Sequence, residues 1–218
     1  MKKIFLSVLA IAAMATTANA QLWFGGSVSF SHSDSKREMD NTKLSNPSSN
    51  SFSFSPMVGF ELNEQLSVGG KLNISTRTDK SSASNGTIED EQKNVVNSVS
   101  VTPFARYKFA EFNKFGLVAE AGLPIGTALT KADNGINTQK SQQTSISLYV
   151  APLLTYSLND HFQLECGLNF LSLSANHSVT KDRDNSKNKN TSNSFRFGAN
   201  TDNVVNVGGI TIGFIYRL

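Results

Sequence analysis

The chain says nearly the same thing three times and then stops on it. Pro56 to Leu62 reads PMVGFEL, Pro103 to Phe109 reads PFARYKF and Pro152 to Leu158 reads PLLTYSL, and the last residues, Ile212 to Leu218, read IGFIYRL. Each segment ends in aromatic-x-apolar, and each of the first three is followed within a few residues by a second alternating run. The repeating unit is therefore a long β-hairpin with a short turn, completed by one final strand. Period-two alternation places eight strands at about 22–33, 51–62, 66–76, 95–109, 115–129, 144–158, 161–174 and 207–218, with no amphipathic helix competing.

One face of every strand is apolar: Phe24, Val28 and Phe30 on the first, Phe54, Val58 and Phe60 on the second, Ile210, Ile212, Phe214, Tyr216 and Leu218 on the last. The other face holds Ser, Thr, Gly, Asn and charge. Glu61, Lys71, Arg106, Lys108, Glu120, Glu165 and Arg217 all fall on that polar face. Such a face is too hydrophilic for the dry interior of a soluble sandwich. Apolar residues outward and polar residues inward describe an inside-out barrel, and closure pairs the backbone groups that hydrocarbon cannot solvate. The fold expected is all-β, an eight-stranded antiparallel up-and-down transmembrane barrel. The seven charges read either as a conduction path or as an ion-paired network. With eight strands the interior is just wide enough for side chains to fill it, which favours the paired network.

Residues 1–20 carry Lys2 and Lys3, an apolar run from Ile4 to Ala15 and a small-x-small ending, Ala18-Asn19-Ala20. This is the layout of a cleaved export signal, and the run is too short to span a bilayer. Two segments follow: a leader at 1–20 and one barrel domain at 21–218. The formal net charge of +3 falls toward neutral once the two leader lysines are removed, so nothing points to nucleic acid. Cys166 is the sole cysteine, which excludes an intrachain disulfide.

Connections alternate in length. Tight turns are expected at 63–65, 110–114 and 159–160, and long, water-exposed loops rich in Ser, Asn, Asp and Lys at 34–50, 77–94, 130–143 and 175–206. Short turns belong to the inner side of the membrane and long loops to the exterior. Phe60, Tyr107, Tyr156 and Tyr216 then share one level near the short turns, half of an aromatic girdle. Pro56, Pro103 and Pro152 stand mid-strand, where the missing N–H points either to a bulge or bend shared by three hairpins or to a groove for lipid or a partner. Phe195-Arg-Phe197-Gly stands apart in the fourth loop as an extension of strand seven or eight.

Signal, alternating strands, alternating loops and the ending Phe214-Ile-Tyr216-Arg-Leu218 together resemble the small outer-membrane β-barrel proteins of Gram-negative bacteria, the group that includes the N-terminal barrel of OmpA and the OmpX-like proteins. The resemblance covers the whole of 21–218. It implies an outer-membrane location, lipid contact, and Phe214, Tyr216 and Leu218 as the signal read by the barrel-assembly machinery.

Chemistry beyond this is thin. His32, His161 and His177 fall at separate places, Ser31-His32-Ser33-Asp34 has the residue types of a hydrolase but alternates across two faces, and Asp182-Arg-Asp184-Asn185-Ser186 lacks the glycine and distal Glu of a calcium loop. No cofactor or metal is expected. The reading is a non-enzymatic barrel acting through exterior loops on an extracellular ligand, in adhesion, surface recognition or envelope integrity. A narrow channel is the alternative, and a lipid-modifying barrel a more distant one.

Overall fold

The computed structural model describes residues 21–35, 37–39, 42–45, 47–84, 89–135, 137–168, 171–183, 188–199 and 209–218; the expected leader lies outside the described residues. The elements are β1 (Gln21–Asp34), β2 (Arg37–Met39), β3 (Thr42–Ser45), β4 (Ser48–Glu61), β5 (Leu66–Ser84), β6 (Glu89–Phe112), β7 (Phe115–Gly122), β8 (Ile125–Asp133), β9 (Thr138–Ser157), β10 (Phe162–Gly167), β11 (Leu171–Asp182), β12 (Lys189–Ala199) and β13 (Gly209–Arg217). Eight of them, β13, β1, β4, β5, β6, β7, β9 and β10, form a closed antiparallel ring, sealed where β13 pairs with both β1 and β10. Higher up, β8 continues from β7 and β11 from β10, with β12 laid on β11.

The ends of the ring are tied together. Gln21 Nε2 donates to the Leu218 carbonyl at 2.7 Å, and the Leu218 N–H to the Leu22 carbonyl at 3.1 Å. Two of the short turns use one device, an asparagine whose Oδ1 accepts two backbone N–H groups: Asn63 from Gln65 and Leu66, Asn159 from His161 and Phe162. The third turns on Asn113, at φ 55°, a left-handed conformation that asparagine tolerates better than most residues.

The long loops of the sequence reading are largely strand. β5 and β6 pair out to Ser84 opposite Glu89, β8 and β9 to Asp133 opposite Thr138, and β11 and β12 to Lys181 opposite Lys189. A hairpin ladder needs only backbone groups and a partner, so a serine- and asparagine-rich sequence extends the barrel as well as an apolar one. Just below this extension polar side chains bond one another inside the ring: Ser75 bonds Ser98 at 2.6 Å, Asn73 donates to Ser55 at 2.7 Å and Ser147 to Asn176 at 2.6 Å. The first loop carries the small β2–β3 hairpin. Phe195 and Phe197 lie on β12 and expose 73% and 66% of their surface.

The prolines do not shift the register of their own strands. Pro56 faces Gly26, Pro103 faces Gly70 and Pro152 faces Ala119, each in an unbroken ladder. The interruption falls on the other neighbour. Leu123 N–H donates to the Pro103 carbonyl and Leu168 N–H to the Pro152 carbonyl, both at 3.0 Å, and proline has no N–H to return. Strands end there: β7 gives way to β8 across Leu123 and Pro124, and β10 stops at Gly167. The register shift present in the ring lies instead between Lys108 and Ala110.

The middle of the lumen is packed, and its apolar filling was not anticipated. Trp23, Met57, Phe104, Val118 and Ile215 lie on the inward-facing parity and are buried, Trp23 to 1% exposure. Gly59 and Gly69, directly opposed, leave the space that holds two of these rings. A Cβ at Gly59 would stand 2.3 Å from the Trp23 ring, and one at Gly69 2.6 Å from that of Phe104. Gly59→Ala is expected to destabilise the barrel by about 1–3 kcal/mol through overpacking. Urea unfolding in detergent measures it, and an unchanged midpoint would mean that Trp23 does not occupy this niche.

Candidate functional site

Midway along the lumen four charged side chains from four strands converge. Glu120 on β7 accepts from Lys71 Nζ on β5 at 2.7 Å and from Arg106 Nε on β6 at 2.8 Å, and it also takes the Tyr149 hydroxyl proton bond from β9. Arg106 reaches across to Glu165 on β10, with Nη1 to Oε2 at 2.9 Å and Nη2 to Oε1 at 3.3 Å. Its guanidinium also lies 5.2 Å from the Trp23 ring and 4.9 Å from that of Phe104, a cation against two aromatic systems. Arg106, Glu120 and Glu165 are 5%, 3% and 7% exposed, so the network stands or falls on mutual neutralisation. Two cations meet two carboxylates, and the cluster is neutral.

The remaining expected lumen charges lie toward the short-turn end. Arg217 donates to Glu61 at 2.6 Å and to the Gln163 side chain. Lys108 pairs with Glu111, a residue that the sequence reading assigned to the turn but that β6 carries as strand. The seven charges are thus three groups, not one. Below the central cluster lies a cavity of about 760 Å³, roofed by Trp23 and Arg106 and walled by Glu61, Lys108, Lys114 and Arg217. Above it a smaller one of about 270 Å³ is lined by Ser33, Ser49, Arg77, Asp79, Gln92 and Asn94.

On the outer surface the expected girdle positions, Phe60, Tyr107, Tyr156 and Tyr216, lie near the short turns. Tyr156 packs on Phe115 with centroids 4.8 Å apart, and Tyr216 on Phe162 at 4.9 Å and on His161 at 5.9 Å. Tyr107 directs its hydroxyl to Gln65 at 3.5 Å. Phe214, Tyr216 and Leu218 are exposed, while Gly213 before them and Ile215 between Phe214 and Tyr216 are buried. Cys166 is free and exposed.

The histidines remain apart. His32 meets Asn50 at 2.6 Å, with Asp34 at 3.9 Å, and Ser31 and Ser33 alternate to the other face of β1. His177, expected in a loop, stands in β11 opposite Asn193, with Nδ1 to Oδ1 at 2.6 Å. His161 bonds the Arg217 carbonyl at 2.9 Å in a short turn. Asp184, Asn185 and Ser186 lie outside the described residues. Above the apolar belt the Ser49 hydroxyl, and after it Arg77 at 2.8 Å, hold the Asp79 carboxyl below its ordinary 3.8.

A family model for the outer membrane protein beta-barrel domain matches residues 4–217. The chain belongs to this family. Its location is accordingly the outer membrane. No curated protein matches the chain at a significant level. Among solved structures it is similar to Neisserial surface protein A, at 15% identity over 90% of this chain and 97% of that one, with a TM-score of 0.41. It is also similar to Ail, the attachment invasion locus protein of Yersinia pestis, at 14% identity over 91% and 97%, with a TM-score of 0.35. The outer membrane protease OmpT of Escherichia coli follows at 8% identity over 91% and 96%, also at 0.35. At these scores the likenesses say nothing of activity.

Arg106→Leu leaves Glu120 and Glu165 buried without their shared cation, and is expected to cost about 3–5 kcal/mol of unfolding free energy. Adding Glu165→Gln should recover about half or more of the loss, since Glu120 then keeps Lys71 as its partner and no uncompensated charge remains. Urea midpoints of the three proteins in detergent measure this, and a single variant as stable as the parent would show that the cluster is not stabilising. For Asp79 the depressed value means that its pairing stabilises above pH 3.8 and is lost as pH falls through the folded value. An NMR titration should place its midpoint below 3.8 and Ser49→Ala should raise it.

Proposed function

We propose that the protein is a non-enzymatic outer-membrane barrel, exported by cleavage of residues 1–20, that acts through its exterior hairpins in adhesion, surface recognition or envelope integrity. The observation that carries this reading is the central cluster: Arg106, clamped by Glu120 and Glu165 and packed against Trp23 and Phe104, stands buried inside the lumen, in the path a solute would have to take. A blocked lumen leaves the walls and the hairpin ends to do the work. The partners are outer-membrane lipid, the barrel-assembly machinery through Phe214, Tyr216 and Leu218 during biogenesis, and an extracellular ligand at the hairpin ends. Nucleic acid is not among them. The girdle of Phe60, Tyr107, Tyr156 and Tyr216 sets the depth of the barrel in the bilayer.

Two alternatives are tested together with this one. Planar-bilayer recordings of the purified protein are expected to show no stable openings, and sustained conductance would establish the channel reading. His32→Ala is expected to leave lipid A and phospholipid profiles unchanged. Replacing 35–47 and 183–188 by short turns should remove cell-surface binding or the envelope phenotype while the barrel still shifts on SDS gels when boiled. If the shift persists and every surface phenotype is intact, the hairpin reading fails.

A further inference from the structure

At the closure seam the large cavity below the central cluster is lined by hydrogen-bond donors that lack acceptors among the described residues. Gln163 on β10 is 8% exposed and stands one inward position below Glu165. Arg217 can only donate, so the atom it meets is the Gln163 carbonyl oxygen, and the amide nitrogen keeps two N–H groups with no acceptor among the described residues. The Trp23 indole N–H on β1 is in the same condition at 1% exposure. Arg217, on β13 between them, gives Nε to Glu61 and Nη2 to Gln163, and its Nη1 likewise has no acceptor among the described residues. Trp23 lies opposite Arg217 and Gln163 opposite Ile215, so the three donors stand on three neighbouring strands, and all three residues line the cavity. Buried polar groups are as a rule hydrogen-bonded, because a donor left without an acceptor is costly.

We propose that this cavity is a binding site for the free carboxylate of an amino acid or short peptide, entering from the short-turn side, which is the periplasmic side of such barrels. A water accepts from two donors at most and must then place its own two protons, whereas a carboxylate only accepts, and its two oxygens can serve all three donors. The charge around the cavity selects a zwitterion over a dianion such as phosphate. Arg106 belongs to the neutral cluster above, Arg217 is balanced by Glu61 and Lys108 by Glu111. That leaves Lys114 against Glu64 and Asp160 among the exposed turn residues at the rim. No surplus of positive charge remains for a dianion, and the rim acids suit an ammonium group. At about 760 Å³ the cavity has room for a molecule of a few residues. The proposal concerns the space below the cluster and is independent of the hairpin ends and of conductance.

Trp23 is the chain's only tryptophan, so its fluorescence reports on the site directly. The test titrates the barrel in detergent micelles with trialanine, trialanine amide, N-acetyl-trialanine and inorganic phosphate. Trialanine should shift the emission saturably, the amide and phosphate should not, and acetylation should weaken binding. Gln163→Leu, which removes the amide donors, should weaken trialanine binding about tenfold. Gln163→Glu keeps the bond from Arg217 but turns a second acceptor toward the ligand, and should abolish binding. Absence of a saturable shift with trialanine by about 10 mM overturns the proposal and leaves a cavity that only holds water. So does equal binding of the amide or of the acetylated peptide, displacement of trialanine by phosphate on equal terms, or a Gln163→Leu variant that binds as the parent does. If the Leu variant does not fold, Gln163→Glu decides: undiminished binding overturns the proposal.

Discussion

Closure of the ring by β13 between β1 and β10 is the constraint from which the other features follow. Trp23 opposite Arg217 through Ser31 opposite Gly209 on one side, and Phe162 opposite Tyr216 through Cys166 opposite Ile212 on the other, leave the ring no free edge. In hydrocarbon an open edge would expose a row of backbone groups at several kcal/mol each. Closing at eight strands also fixes a narrow bore, so every inward residue must fit against inward residues of the other strands. Side chains from β1, β4, β5, β6, β7, β9, β10 and β13 consequently meet in one layer.

That layer combines two unlike solutions to burial. Aromatic rings fill volume, made possible by Gly59 and Gly69, which leave room in the wall. Charge supplies direction: Arg106 has a planar fork that can satisfy two carboxylates at once, whereas a lysine would reach one or the other. Trp23 and Phe104 then serve the guanidinium as apolar walls and as electron-rich faces. Replacing the cluster by hydrocarbon would fill the bore equally well, but would not dictate which strands lie opposite which. The pairing Arg106 to Glu165 joins β6 to β10, three strands away around the ring.

The ring itself was legible because lipid outside and polar groups inside impose a period of two along every strand, and the seven polar-face charges obeyed it. Trp23, Phe104 and Ile215 were missed because an apolar residue beside another apolar residue reads as a break in alternation; their inward parity was the available signal. Glu111 was missed as the partner of Lys108 because the strand runs on to Phe112, past the point where the pattern fades. The extended collar was invisible for a related reason: its ladders are held by backbone bonds that side-chain composition does not report. Prolines were read as distorting their own strands, whereas the missing N–H acts on the strand that should have received it, at Leu123 and Leu168.

The bond from Gln21 to the Leu218 carbonyl has a topological meaning. Gln21 and Leu218 lie side by side at the short-turn end of the ring, on two strands that are already hydrogen-bonded neighbours. A short covalent link between them, with a new opening between β5 and β6, would preserve every ladder of the ring. The order in which strands leave the ribosome is thus a property of synthesis and insertion, and the folded wall keeps no record of it.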